Sequence, residues 1–301
     1  MNTKRLPPSI PSLSEVLKRP VIFVSGKGGV GKSVWTQAIA LALSKKGKRT
    51  LWVDLEDPLR PRGQLVKVGP KLWHLNCDAE MAFEEYALLK IGDSPLARLF
   101  IDNKLMRYLA KAAPGIHELV LLGKIWHESS RYECVVVDMP ATGHGLALFQ
   151  STKNYATLFR GGPIHEDAEE MIHTFADPLR TGHIVLALPE EMPLQESLDL
   201  DLFLLDLFPN NRATFIVNRT FPKSDASPKT SGDPKKWTSP VAQGPVDYLH
   251  KRILLEEYNL RIWRDQGISF AEFNYVPPAP SRTNQLVSET LAHQLELGRY
   301  V

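Results

Sequence analysis

Residues 26–33 read GKGGVGKS and decide the fold, because they lie between a short apolar run and a segment of helical periodicity. The apolar run, Val21–Val24, is typical of a strand buried on both faces of a parallel sheet. The segment Ser33–Lys46 places apolar residues at helical spacing, and Gly47 is positioned to end the helix. A loop of this composition between a strand and a helix presents backbone N–H groups to phosphate.

The same residues satisfy the pattern G-x-x-x-x-G-K-[ST] of a nucleotide-binding P-loop. Glycines let the loop curl so that its backbone amides face the phosphates. Lys32 is expected to reach the β- and γ-phosphates as a catalytic residue, and the Ser33 hydroxyl is expected to bind Mg²⁺. The sequence therefore predicts ATP and Mg²⁺ as ligands, with the nucleotide-binding residues Gly26, Lys27, Gly28, Gly29, Val30, Gly31, Lys32 and Ser33.

Strands and helices alternate along the rest of the chain, which predicts an α/β fold of the P-loop NTPase type. In such a fold a mostly parallel sheet is flanked by helices on both faces. Further strands are predicted at Thr50–Val53, Lys71–Leu75, Cys134–Val137, His183–Leu188, Thr214–Val217 and Ile268–Phe273. Further helices are predicted at Ala79–Lys90, Pro95–Ala113, Leu194–Phe208, Val246–Asp265 and Asn284–Leu297. Another helix is predicted to follow the break at Pro114-Gly115 and to end at about Ser130.

Bulk composition limits the classes of partner. The 301 residues carry a formal net charge of +2, which is too small to favour a nucleic-acid partner. The two cysteines, Cys77 and Cys134, form no CxxC pair, which excludes a disulfide framework and a thiolate zinc site within one chain. No segment approaches the roughly 18 uninterrupted apolar residues of a membrane span. We therefore expect a cytoplasmic protein with no integral membrane segment and no nucleic-acid partner.

Asp138 ends the predicted strand CVVVD, where P-loop proteins place the carboxylate that orders the water shell of Mg²⁺. We therefore predict that Asp138 binds the metal through water. The residues 138–145, DMPATGHG, resemble the switch II motif D-T-A-P-T-G-H-T of the arsenite-pump and tail-anchored-protein-targeting ATPases. This resemblance extends from about Val21 to the C-terminus and implies a Mg²⁺-dependent ATPase that changes conformation with ATP binding and hydrolysis.

Lys27 strengthens the resemblance, since KGGVGKS matches the deviant P-loop KGGxGK[ST] of that family. In the family this extra lysine crosses a dimer interface to the partner's nucleotide. The resemblance therefore implies a catalytic role for Lys27 and a homodimer, or a heterodimer with a paralogous ATPase. It also implies a membrane-protein client or partner in a transport, targeting or assembly process.

Asp57-Pro58, after the second strand, corresponds to switch I of the family, where the aspartate positions the attacking water. Asp54 is a competing candidate, although the adjacent proline favours Asp57. The sequence departs from the family here, because Leu59-Arg60 stands where Ala-His or Ala-Ser is usual. The resemblance also implies that Asn218 reads the adenine base and that Pro277 lies beside it.

The sequence also motivates two alternative functions. Arg60 in switch I motivates an ATP-binding regulatory scaffold that hydrolyses ATP poorly and forms half of a heterodimer with a related ATPase. A chromosome- or plasmid-partitioning ATPase shares the deviant P-loop, but the P-A-T-G-H motif and the lack of a basic patch near the C-terminus disfavour it.

The domain organisation is predicted to be simple. Residues 1–20 form an N-terminal extension with a short helix, opened by a capping box at Ser12 and Glu15. Residues 21–301 form a single ATPase domain. Within it we expect a small insertion at about 146–180 and a flexible loop at about 221–245, which is rich in Pro, Ser, Lys and Asp.

Overall fold

The computed structural model describes residues 8–55, 57–91, 115–158, 162–221, 240–277 and 283–298. Its strands, numbered in chain order, are β1 Val21–Gly26, β2 Thr50–Leu55, β3 Leu65–Gly69, β4 Leu72–Cys77, β5 Cys134–Asp138, β6 Thr181–Ala187, β7 Ala213–Thr220 and β8 Phe270–Asn274. They form one eight-stranded sheet in the order β3-β4-β2-β5-β1-β6-β7-β8. Neighbouring strands are parallel except for β3, which is antiparallel to β4. The predicted α/β fold is therefore confirmed.

The helices of the described residues, also numbered in chain order, cover both faces of the sheet. They are α1 Leu13–Val16, α2 Lys32–Lys45, α3 Ala79–Ile91, α4 Ile116–Ser129, α5 Thr142–Leu158, α6 Pro163–Ala176, α7 Glu191–Leu207, α8 Pro240–Asp265 and α9 Thr283–Glu296. The helix predicted at Pro95–Ala113 lies outside the described residues.

The burial of β1 on both faces of the sheet explains why its sequence is a continuous apolar run. Val21 and Phe23 belong to the core on one face, with buried residues of α3 to α8. Ile22 and Val24 belong to the core on the other face, with α1, α2 and α9. Because successive strand residues point to opposite faces, a strand covered on both sides must be apolar at every position.

The N-terminal extension and the residues expected to form an insertion both contribute to the core of the domain. Val16 of α1 is fully buried. Phe149 of α5 and Phe175 of α6 lie edge-on to Phe23, with ring centroids 5.0 and 5.2 Å away. The residues expected to form an insertion at about 146–180 therefore include two core helices. In the loop expected at 221–245, residues 222–239 lie outside the described part, whereas 240–245 begin α8.

A buried histidine on β6 gives the core a pH dependence. His183 is fully buried, and its ring stacks between Phe23 and Phe208 at centroid distances of 5.6 and 5.5 Å. Among the described residues neither imidazole nitrogen has a well-formed hydrogen bond, although the Phe175 carbonyl lies near enough to favour protonation slightly. Burial lowers the pKa of His183 to about 4.

We expect acid to destabilise the protein through this histidine. Because its pKa is lower in the folded state, the stabilisation is complete above the unfolded value of about 6.5 and is lost as pH falls towards 4. The loss is at most about 3 kcal/mol by linkage. Urea unfolding at pH 7 and pH 4.5 should show a smaller acid effect in His183→Phe than in wild type or in the exposed control His250→Gln. An identical acid effect in all three proteins would contradict this assignment.

Candidate nucleotide-binding site

Residues 26–33 connect the end of β1 to the start of α2. Strand β1 lies inside the sheet between β5 and β6, and β2 lies beyond β5. The parallel register aligns Asp138 at the end of β5 with Val24 of β1 and with Asp54 of β2. The loop and two carboxylates therefore meet at the carboxyl edge of the sheet, which is where open α/β sheets bind ligands.

Two glycines show why the loop requires this sequence. Gly26 has φ +148°, and a Cβ at this position would lie 2.6 Å from the backbone oxygen of Leu186 on β6. Gly31 has φ +100°, and a Cβ there would lie 2.9 Å from Nδ2 of Asn218. Both positions exclude a side chain by backbone conformation and by space. The predicted curled loop is thus present.

Lys32 directs its side chain back over the loop. Its Nζ donates a hydrogen bond to the carbonyl of Lys27, 3.0 Å away. Burial lowers the pKa of Lys32, and the negative charge of Asp138 partly opposes that shift. The ammonium therefore lies against the loop, close to the carboxylate of Asp138.

Asp138 fits a divalent cation. Its Oδ1 is buried and has no hydrogen-bond partner among the described residues. Burial raises the pKa of Asp138 to about 6; the charge of Asp54 adds to the shift, and Ser33 and Lys32 oppose it. An unsatisfied carboxylate oxygen beside a serine hydroxyl is a suitable oxygen environment for Mg²⁺. Ser33 and Asp138 would hold the ion, Asp138 through water.

A cavity of about 660 Å³ is lined by Lys32, Ser33 and Asp138. The two switch I candidates, Asp54 and Asp57, also line it. Asp54 accepts a hydrogen bond from Trp52 Nε1 at 3.0 Å, and its other oxygen lies 2.9 Å from His74 Nε2. The Asp54 side chain is 7% exposed, whereas that of Asp57 is 28% exposed.

Comparison with known proteins identifies a family for the part of the chain that contains this loop and Asp138. Residues 19–161 match the profile of the anion-transporting ATPase family. This segment belongs to that family.

Individual relatives extend the similarity beyond the matched segment. The chain is 30% identical over 224 residues to ATPase BagA of Mycobacterium tuberculosis, which covers 66% of this chain and 65% of that protein. It is 23% identical over 217 residues to a protein of Aquifex aeolicus named for an arsenical pump-driving ATPase, covering 59% and 72%. It is 30% identical over 159 residues to ATPase get3 of Aspergillus terreus, covering 46% of this chain and 46% of that one. The chain thus spans just under two thirds of BagA.

Within the anion-transporting ATPase segment, Lys27 has a partner that sequence reasoning did not assign. Its Nζ lies 2.6 Å from Oε1 of Glu196 on α7. The two side chains are 47% and 34% exposed, so water and competing ligands can reach the pair. The other oxygen of Glu196 is buried and has no hydrogen-bond partner among the described residues.

The two residues expected at the adenine base differ from each other in their surroundings. Asn218 is buried on β7, and its Nδ2 donates to the carbonyl of Val30 at 2.9 Å. It lines a second cavity of about 250 Å³, together with Gly31, Val34, Arg219 and Tyr275 among others. Pro277 is exposed and is not among the residues that line this cavity.

Strand β4 adds residues that the sequence did not single out. His74 contacts Asp54, and Asn76 holds the switch I backbone: its Oδ1 accepts from the N–H of Asp57 at 2.9 Å. The alternating polar residues of LWHLNC were the available signal, because they break the apolar pattern of an interior strand.

A second group of potential metal ligands lies away from this site. Glu85, His127 and Glu128 have ligand atoms within 4.8 Å of one another. The Nζ of Lys124 already lies 2.7 Å from Glu85 and 2.8 Å from Glu128. The lysine supplies the positive charge that a metal would supply, so these residues form an ion-pair cluster.

In the described part of the chain no helix combines the length and the apolarity that a bilayer span requires.

Proposed function

We propose that the chain is a Mg²⁺-dependent ATPase that changes conformation with ATP binding and hydrolysis. The observation that carries this proposal is the arrangement of Lys32, Ser33 and the unsatisfied Oδ1 of Asp138 around one cavity. The relatives are named as ATPases, which supports the same activity.

The residues of the cavity have different roles in phosphoryl transfer. The loop amides and Lys32 bind and orient the phosphates, and the Lys32 ammonium stabilises the charge that develops on them. Ser33 and Asp138 would hold Mg²⁺, Asp138 through water, and the ion would neutralise phosphate charge. Asp57 orients the attacking water, because its carboxylate is more exposed than that of Asp54.

The test is phosphate release by purified protein at saturating ATP, with Mg²⁺ and with the metal chelated. We expect release that requires Mg²⁺. Protein that binds no purine triphosphate in the presence of Mg²⁺ would overturn the proposal. Tight binding without turnover, followed by turnover on adding a paralogous ATPase, would instead favour the regulatory scaffold that Arg60 motivates.

We also propose that ATP brings two chains together through Lys27. The exposed pair between Lys27 and Glu196 can exchange partners at little cost, since such ion pairs contribute about 0–1 kcal/mol. Nucleotide on a second chain offers Lys27 a more highly charged partner. We expect homodimers, or heterodimers with a paralogue, in a cytoplasmic process that involves a membrane-protein client.

We predict that a non-hydrolysable ATP analogue with Mg²⁺ raises the mass from 33.8 kDa to twice that value. Lys27→Ala should remain at the monomer mass under the same conditions. Lys45→Ala is the matched control, because Lys45 pairs with Glu296 at 3.2 Å and is similarly exposed at 50%. Light scattering gives the mass directly. Dimers that form equally well with Lys27→Ala would contradict this role.

A further inference from the structure

Arg60 places a second cation in the wall of the phosphate cavity. Its Nε lies 3.3 Å from Oδ2 of Asp57 and 3.5 Å from Oδ2 of Asp54. Its Cζ lies 4.3 Å from the centre of the Trp52 ring, and Nη1 lies 3.3 Å from Nε2 of His74. The guanidinium is therefore stacked and ion-paired inside the site where phosphate is expected.

The backbone beneath Arg60 is held independently of its guanidinium. Nδ2 of Asn76 donates to the carbonyls of Asp57 and Arg60 at 2.9 and 3.0 Å. The N–H of Leu59 also donates to Oδ1 of Asp57 at 2.9 Å. Residues 57–60 are thus fixed by β4, and the Arg60 side chain can change partners without refolding of the loop.

The balance of charge in the cavity favours such a change. Among the described residues that line it, three are carboxylates, those of Asp54, Asp57 and Asp138, and two are cations, Lys32 and Arg60. A triphosphate remains anionic after binding Mg²⁺. Its entry adds negative charge to the cavity and therefore favours contact with a cation. Arginine offers five N–H donors in a planar fork that suits phosphate, and the contacts described above engage Nε and Nη1.

We propose that Arg60 binds the terminal phosphate of ATP within its own chain, and that this contact releases Asp57 to orient water. The inference rests on the proposed function, because it requires a triphosphate in this cavity. Trp52 supports the guanidinium plane in either position, since stacking leaves the edges of the fork free for acceptors. Arg60 thereby reports whether the third phosphate is present.

The test compares dissociation constants for ADP and for a non-hydrolysable ATP analogue, both with Mg²⁺, by calorimetry. We expect Arg60→Ala to weaken binding of the analogue about 10-fold or more and to leave ADP binding nearly unchanged. Arg60→Lys should recover part of the loss. Arg62→Ala is the control, since Arg62 pairs with Asp78, is 53% exposed and does not line this cavity.

The outcomes separate the possibilities. Unchanged affinity for both nucleotides in Arg60→Ala, or equal loss for both, would overturn the proposal. Faster hydrolysis by Arg60→Ala with unchanged affinity would also overturn it, because it would identify a restraint on Asp57. Failure of wild-type protein to bind either nucleotide would instead count against the proposed function itself.

Discussion

Replacing Lys32 with alanine is expected to abolish Mg²⁺-dependent phosphate release and to weaken ATP binding about 100-fold. The reason is the position of its ammonium, which lies against the loop 3.0 Å from the Lys27 carbonyl. Hydrogen bonds to charged groups contribute about 1.5–3 kcal/mol each, and loss of a charge that stabilises the transition state adds to that cost. Calorimetry gives the affinity, and steady-state phosphate release gives the turnover.

Lys46→Ala is the control for this experiment, because Lys46 is exposed just after the opposite end of α2. Thermal unfolding without nucleotide should be almost unchanged in Lys32→Ala, since in the described part of the chain its side chain makes one hydrogen bond. Turnover by Lys32→Ala equal to that of wild type would show that hydrolysis does not occur in this loop.

Replacing Asp57 with asparagine should lower kcat about 100-fold or more while ATP affinity remains near the wild-type value. The amide oxygen can still accept from the N–H of Leu59, now 2.9 Å from Oδ1, so the loop keeps its shape. What is lost is the charged acceptor that orients water, and positioning of this kind contributes strongly to phosphoryl transfer. Single-turnover measurements separate the chemical step from nucleotide release.

Asp54→Asn distinguishes the two switch I candidates. Asp54 is buried and bound to Trp52 and His74, so this variant should lose stability on thermal unfolding. Asp57→Asn should unfold near the wild-type temperature. A full loss of turnover in a stable Asp54→Asn protein, with Asp57→Asn active, would transfer the water-orienting role to Asp54.

The P-loop and the alternating fold were predictable because their signals are local. A glycine loop between an apolar strand and a periodic helix fixes its own backbone path, and Asp138 is the last residue of its strand. Strand β3 was not predicted, although Leu65, Val66 and Val68 are apolar. Its exposed residues lie at the sheet edge, where the strand pairs only with β4.

Pairings between distant residues could not be predicted from one sequence. Lys27 meets Glu196 across 169 positions, and Arg60 meets His74 only because β2 and β4 are neighbours in the sheet. The mixture of apolar and acidic residues in α5 and α6 gives no sign in the sequence of which positions face the core. Tertiary packing of Phe149 and Phe175 makes these segments part of the core.

The position of β1 has a mechanical consequence. The strand that carries the phosphate loop is hydrogen-bonded on both sides and covered by two cores, whereas the partly exposed β3 forms one border of the sheet. Local opening is easiest where backbone hydrogen bonds face solvent and few apolar contacts must be broken. Local opening is therefore expected to begin at β3 rather than at β1, the strand that leads into residues 26–33.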